Sequence, residues 1–238
     1  MSDPQAVLNP QSVDAVLFDA GGVLLLPSPD ALRESVALSG AVPDDECCRW
    51  AHYAATREVD RTARPDWRVV DTVVATELGV ARRWLDEVVP PIGVVYTDLP
   101  WTPVQGAAEA LLALQRAGYP LAVVSNATGT MEAQLAEHAI CSTNGDSSAD
   151  VAVVVDSAVV GIEKPDPAIF HLALDALALE PERCVYVGDT VYFDVNGATA
   201  AGLLPVHLDP YDRCEIPGHL HARDLDELVD WLVPSSGD

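Results

Sequence analysis

Lysine occurs once in these 238 residues, at position 164. The other basic side chains are arginine, and the 13 cationic residues face 37 carboxylates for a formal net charge of −24. So few cations cannot neutralise a phosphate backbone or hold an anionic bilayer, which argues against nucleic acid and membranes as partners. Long apolar runs are missing too. The longest, starting at Val151, is broken by Asp156, far short of the roughly 20 residues that span a bilayer. Residues 1–14 lack the basic start and apolar stretch of a signal peptide, so a cytoplasmic location is expected. The five cysteines, Cys47, Cys48, Cys141, Cys184 and Cys214, lack the paired spacing of a zinc or redox motif and read as buried thiols. If the substrate is an anion, so acidic a chain must concentrate positive charge locally, and a metal ion is one source.

What is present is ample apolar material, 49% of the residues, enough for one large domain or a core with a smaller insert. Near-continuous apolar runs at 13–18, 121–125, 151–155, 184–187 and 204–208 have the pattern of parallel strands covered on both faces. Helices are expected between them. One at 104–117 ends at Gly118. One at 167–179 opens with Asp166 as cap and Pro167 in the first turn, its apolar residues Ile169, Phe170, Ala173, Leu174 and Leu177 on one face. A third, at 224–232, starts with an Asp-x-x-Glu capping pattern. The alternation predicts an α/β fold with a Rossmann-like parallel sheet core. Residues 30–97 break it with four helices and no strand, Gly40 and Gly79 ending two of them. Proline-bearing segments, Pro27-Ser28-Pro29 and Leu99-Pro100-Trp101-Thr102-Pro103, flank this block as stiff linkers. The expected organisation is a catalytic core at 1–28 and 98–238 with an inserted four-helix cap domain at 29–97. The polar stretch 142–150 reads as a loop.

Chemistry-bearing residues gather at the ends of the expected strands, where open α/β sheets bind ligands. Asp19 follows 15–18, and Ser125 and Asn126 close 121–124. Gly188 and Asp189 follow 185–187, with Asp194 five residues beyond. Lys164 precedes Pro165 and a helix. Each alone has an ordinary explanation as a turn, cap or surface residue. In this order they form four motifs: Phe18-Asp19-Ala20-Gly21-Gly22-Val23-Leu24; Val123-Val124-Ser125-Asn126; Gly161-Ile162-Glu163-Lys164-Pro165-Asp166-Pro167-Ala168-Ile169-Phe170; and Val187-Gly188-Asp189-Thr190-Val191-Tyr192-Phe193-Asp194-Val195-Asn196-Gly197-Ala198.

This set resembles the haloacid dehalogenase superfamily of hydrolases, in the subgroup with a small helical cap inserted after the first motif. The resemblance covers the whole chain. It implies that Asp19 is a nucleophile forming an aspartyl-phosphate that water then cleaves. It implies Mg²⁺ held by Asp19, Asp189 and the Gly21 carbonyl, with Asp194 acting on waters or on Lys164. Ser125 and the Asn126 amide would donate to phosphate oxygens beside Gly22, and Lys164 would supply a point charge. A lone lysine in a chain otherwise using arginine suits a slot where a compact ammonium fits and a planar fork does not.

The pattern departs from the family at one position. Its phosphatases usually carry a second aspartate two residues after the nucleophile, to protonate the leaving oxygen, and here that position is Gly21. The expected function is a Mg²⁺-dependent phosphatase acting on a small phosphorylated metabolite, as a monomer or homodimer. The alternatives are a hydrolytic 2-haloacid dehalogenase, which needs neither the second aspartate nor metal, and a non-catalytic phosphate- and metal-binding module. In the insert, His52, Tyr53, Arg57, Asp60, Arg61, Arg64 and Trp67 read either as a solvated helix face or as contacts to the rest of the substrate, with His52 and Arg57 the substrate-binding candidates. Asp30, Glu34 and His52 are candidates for a replacement acid. His219 and His221 have metal-like spacing, but without a placeable carboxylate they read as surface residues.

Overall fold

The computed structural model describes residues 8–61, 65–98, 101–145 and 149–233. They divide into two compact units, one containing residues up to Leu24 and from Pro103 onward, the other spanning Leu25–Thr102.

In chain order the strands are β1 (Ala15–Phe18), β2 (Leu25–Pro27), β3 (Trp101–Pro103), β4 (Leu121–Ser125), β5 (Cys141–Ser142), β6 (Ala149–Asp150), β7 (Val154–Asp156), β8 (Cys184–Gly188), β9 (Leu204–Leu208) and β10 (Leu220–Ala222). Six of them build the main sheet in the order β10-β9-β8-β1-β4-β7, and every pair in it is parallel. β1, β4 and β8 are buried along their whole length, which is why their sequences are unbroken apolar runs rather than alternating ones. Alternate residues Ala15, Leu17, Ala122, Val124, Cys184 and Tyr186 share one face and pack with Ile169, Phe170, Ala173 and Leu174 of the helix Ala168–Leu177. Each large aliphatic chain taken out of water there contributes about 1.5–3 kcal/mol. Asp166 accepts from the Ala168 amide at 2.9 Å, opening that helix. Asp224 accepts from Glu227 N at 2.8 Å at the start of Leu225–Leu232.

The second unit carries four helices, Pro29–Val36, Asp45–Asp60, Trp67–Glu77 and Leu85–Thr97. Short polar side chains start three of them: Ser28, Asp44 and Asp66 accept from the amides of Ala31, Cys47 and Arg68. Gly40 and Gly79 adopt left-handed backbone at φ of 80° and 84° where the chain leaves a helix. No helix among the described residues is long and apolar enough to cross a membrane.

The structure differs from the sequence expectations in several places. The proline-bearing flanks of the insert are not plain linkers: β2 and β3 pair into a two-stranded sheet, so the helical unit starts and ends at Leu25 and Thr102 rather than at 29 and 97. Leu99 and Pro100 lie outside the described residues. The loop expected at 142–150 has its ends paired as β5 and β6 in parallel, and residues 146–148 lie outside the described residues. The strand expected at 151–155 runs Val154–Asp156. A sixth sheet strand, β10, went unrecognised because the polar His221 interrupts a run of only three residues.

Candidate active site

The register of the three central strands brings the motifs together. Phe18 pairs with Val123 on one side and Val187 on the other. Asp19, Ser125 and Asp189 therefore emerge side by side at the carboxyl edge of the sheet. The Asp19 amide donates to the Val187 carbonyl at 2.8 Å, continuing the ladder one residue past β1. Gly22 takes the left-handed conformation at φ 74° in the turn that follows, an arrangement glycine adopts without steric cost.

Lys164 is 3% exposed, and its ammonium has three oxygen neighbours. Nζ lies 2.9 Å from Asp19 Oδ1 and 2.7 Å from Asp194 Oδ1, and it donates to Tyr186 Oη at 3.0 Å. Three N–H bonds thus meet three acceptors, the full donor capacity of an ammonium. The backbone of Lys164 is fixed as tightly. Asn126 Oδ1 accepts from its amide at 2.8 Å and Asn126 Nδ2 donates to its carbonyl at 3.1 Å. The Asn126 side chain is therefore spent on holding the lysine loop against the end of β4, which leaves its backbone amide as the group expected to meet substrate.

Asp194 sits in a short π-helix, Val191–Val195. Its Oδ2 accepts from the Thr190 amide at 3.0 Å and the Thr190 hydroxyl at 2.6 Å. Gly188 makes this fold-back possible: a Cβ there would lie 2.2 Å from Asp194 Cβ. Burial pushes the Asp194 carboxyl up, but the charge of Lys164 and the bonds from Lys164 and Thr190 outweigh it, and the group titrates below its ordinary range. Asp19 goes the other way. Burial, reinforced by Asp194 and Asp189, outweighs Lys164 and raises its pKa to about 7. Lys164 itself is raised: burial opposes its charge, but Asp19 and Asp194 more than compensate. One ammonium is shared by two carboxylates, and Asp194 has the better share.

Asp19, Asp189 and Asp194 are all buried and offer carboxylate oxygens within 4.8 Å of one another. Three carboxylates around one ammonium leave this pocket short of positive charge, and its oxygen donors suit a hard divalent cation such as Mg²⁺. The residues present fit that ion.

Tyr186, Thr190, Asp156 and Ser157 were not singled out from the sequence. Tyr186 Oη lies 2.9 Å from the Val124 carbonyl and 3.1 Å from Asp194 Oδ1, so its hydroxyl ties β4 to the lysine site. The available signal was a phenol inside a fully apolar strand, since a buried tyrosine hydroxyl needs a partner. Asp156, seen only as the end of an apolar run, accepts from the amides of Gly129, Met131 and Ala158. Ser157 Oγ accepts from Ala127 N at 3.1 Å. These bonds shape the turn that follows Ser125.

His52 and Arg57 belong to the helical unit. His52 is buried there, with Nδ1 3.3 Å from Tyr96 Oη and rings of Tyr53, Tyr96 and Trp101 within 6.1 Å. Arg57 and Asp60 are half-buried on the same helix, and Arg61 and Trp67 are exposed. Arg64 lies outside the described residues. Of the other acid candidates, Asp30 is paired with Arg33 at 2.7 Å and Glu34 is exposed.

Comparison with known proteins agrees with this geometry. The phosphoserine phosphatase of Thermus thermophilus is 36% identical over 136 residues, covering 53% of this chain and 50% of that protein. The chain spans about half the length of the first curated relatives it matches. Among solved structures, a dehalogenase with an intermediate complex superposes with a TM-score of 0.62 at 22% identity, covering 94% of this chain and 99% of that one. An HAD phosphatase from Thermococcus onnurineus gives 0.58 at 20% identity, covering 93% and 98%. Both likenesses speak to the fold. The sequence pattern of the haloacid dehalogenase-like hydrolases matches residues 13–202, most of the chain. With that match, and with four motifs meeting at one sheet edge, the chain belongs to the haloacid dehalogenase-like hydrolase family.

Proposed function

We propose that this hydrolase is a Mg²⁺-dependent phosphatase that transfers the phosphoryl group of a small metabolite to Asp19 and then to water. The observation that carries the reading is the asymmetry of the Asp19 carboxylate. The Ala20 amide, at 2.7 Å, and Lys164, at 2.9 Å, both hold Oδ1. Among the described residues Oδ2 takes no hydrogen bond, and the side chain keeps 11% of its surface exposed. One oxygen anchors the group, and the other, left without a hydrogen bond, serves as the attacking atom. A bound Mg²⁺ would be held by Asp19 and Asp189 with the Gly21 carbonyl, and would neutralise charge on the transferring group.

The chain's own residues account for the remaining steps. Oδ2 of Asp19 forms the bond to phosphorus as the ester oxygen leaves. Ser125 and the Asn126 amide donate to the non-bridging oxygens. Lys164, fixed by Asp194, Tyr186 and Asn126, holds its charge beside them. Water then attacks the aspartyl-phosphate and restores the carboxylate. The weak point is protonation of the leaving oxygen, because Gly21 has no side chain to do it. A positioned acid contributes about 10² to 10⁴ in rate, or about 3–5 kcal/mol of barrier. The favoured substrates are therefore those whose leaving groups depart as anions, such as acyl phosphates, aryl phosphates and sugar 1-phosphates.

Single-turnover rates over a series of phosphate esters test this. The rate is expected to rise steeply as leaving-group pKa falls, Gly21→Asp should help the poorest leaving groups most, and Asp19→Asn should abolish turnover. A flat series would point instead to an acid from elsewhere in the chain, and full activity in excess chelator would remove the metal. A hydrolytic dehalogenase would likewise lack the second aspartate. Halide release from 2-haloacids without Mg²⁺ would select that reading.

A further inference from the structure

A second constellation of ligand-type side chains lies in the sheet-bearing unit, at the β9–β10 edge. His207, Cys214, His219 and His221 each offer one donor atom, and these atoms all lie within 4.8 Å of one another. The topology explains the meeting. His207 and His221 are register partners on adjacent parallel strands, so they share a face of the sheet. Cys214 and His219 come from the connection between those strands. Asp209 folds that connection back, its Oδ2 accepting from Arg213 N at 2.8 Å and Cys214 N at 2.7 Å.

The spacing fits a four-coordinate ion. With metal–nitrogen bonds of about 2.0–2.1 Å and metal–sulfur bonds of about 2.3 Å, a tetrahedral site puts two nitrogens about 3.3 Å apart and nitrogen and sulfur about 3.6 Å apart. His219 Nε2 lies 3.3 Å from His207 Nδ1 and 3.7 Å from Cys214 Sγ. The outer contacts fit as well. His207 Nε2 lies 3.1 Å from the Asp189 carbonyl oxygen. A carbonyl can only accept, so the ring proton sits on Nε2 and the lone pair on Nδ1, toward His219. His221 Nδ1 lies 3.7 Å from Asp209 Oδ2, an ion-pair distance longer than a direct hydrogen bond. A ligating histidine commonly has its other nitrogen oriented by a carbonyl or carboxylate, as that of His207 is.

We propose that His207, Cys214, His219 and His221 form a binding site for a borderline-soft divalent ion of the Zn²⁺ type, separate from the carboxylate pocket at Asp19. Three imidazoles and a thiolate suit zinc and offer little to Mg²⁺. Binding releases the Cys214 thiol proton to solvent and leaves the sulfur as thiolate. The ion closes the β9–β10 connection onto the sheet edge. Through His207 it also fixes the carbonyl of Asp189, so the second site steadies the strand end that presents the first. The reading of His219 and His221 as surface residues gives way here, because both are half-buried and neither stands alone.

The test uses the full chain, reduced and stripped with chelator, with Zn²⁺ or Co²⁺ alone as probe. About one tightly held zinc per chain is expected, and a thiolate-to-cobalt charge-transfer band with Co²⁺. Cys214→Ser should abolish the band. His219→Gln should weaken zinc binding at least about tenfold. Both substitutions are close in shape and lie in one connection, so neither result hangs on a single variant folding. Asp189→Asn should keep the band. Three results would overturn the site: no band in the unaltered chain, a band that survives Cys214→Ser, or zinc lost in Asp189→Asn but kept in both Cys214→Ser and His219→Gln.

Discussion

Replacing Lys164 by methionine keeps most of the side-chain volume and removes the only ammonium among three buried carboxylates. At about 3 Å and an effective dielectric of about 20, each ion pair carries about 5 kcal/mol of Coulomb attraction, much of it offset by the cost of burying the charges. Removing one partner of such a pair typically costs about 3–5 kcal/mol, because the other charge stays buried. Here two carboxylates are left, with Nζ removed from 2.9 Å and 2.7 Å. Protonation relieves them, and that fixes the pH dependence. Asp19 already titrates near 7 in the folded chain, above its ordinary 3.8, with Lys164 pulling it down; without Lys164 it moves higher, and Asp194 rises with it. The folded variant then binds more protons than its parent, so its stability deficit grows as pH rises from the ordinary carboxylate range through neutrality. Urea unfolding in chelator should show a small deficit at about pH 5 and the full about 3–5 kcal/mol at about pH 8. Adding Asp194→Asn should recover at least about 1 kcal/mol of it at the higher pH, as expected for directly coupled groups. Equal stability of variant and parent at the higher pH, or a deficit that shrinks with rising pH, would refute the shared-ammonium account.

Other consequences are simpler to check. Gly188→Ala places a Cβ 2.2 Å from Asp194 Cβ, and the resulting backbone shift should cost more than about 3 kcal/mol on thermal unfolding. Asn126→Ala removes both side-chain bonds to the Lys164 backbone; a stability loss of about 1–3 kcal/mol is expected, together with a fall in kcat larger than any rise in KM. In chelator, Asp19 should titrate near 7 by carbon NMR, and added Mg²⁺ should move that titration to lower pH, because a cation favours the carboxylate. A titration unaffected by Mg²⁺ would exclude Asp19 as a ligand.

The sheet was legible because its central strands are buried on both faces and write unbroken apolar runs, as at 121–125 and 184–188. Asp19, Ser125 and Asp189 stood out at the ends of expected strands, and Lys164 and Asp194 were legible only through the resemblance of their motifs to the family's. The roles of Asn126 and Tyr186 were not, since both act through contacts 38 and 22 residues away that no local spacing encodes. β10 was missed for the same kind of reason: three residues with a histidine in the middle carry too little pattern, and the strand is specified by its pairing with β9. The histidine cluster shows the limit most clearly. His219 and His221 advertise themselves, while His207 and Cys214 become their neighbours only when β9 and β10 lie side by side.

Lys164 also gives the molecule a built-in reporter. It is the only side-chain amine in the chain, it is 3% exposed, and all three of its N–H bonds are engaged. An acylating reagent that modifies lysine can reach it only when the carboxyl edge of the sheet opens. Modification at this one position, followed by mass spectrometry, therefore counts openings of the catalytic centre directly, with no competing lysine to subtract. Where opening and closing outpace the reagent, the ratio of the observed rate to that of a model amine gives the free energy of opening. Substrate or metal that fills the pocket should slow the labelling in proportion to how firmly it holds the site shut.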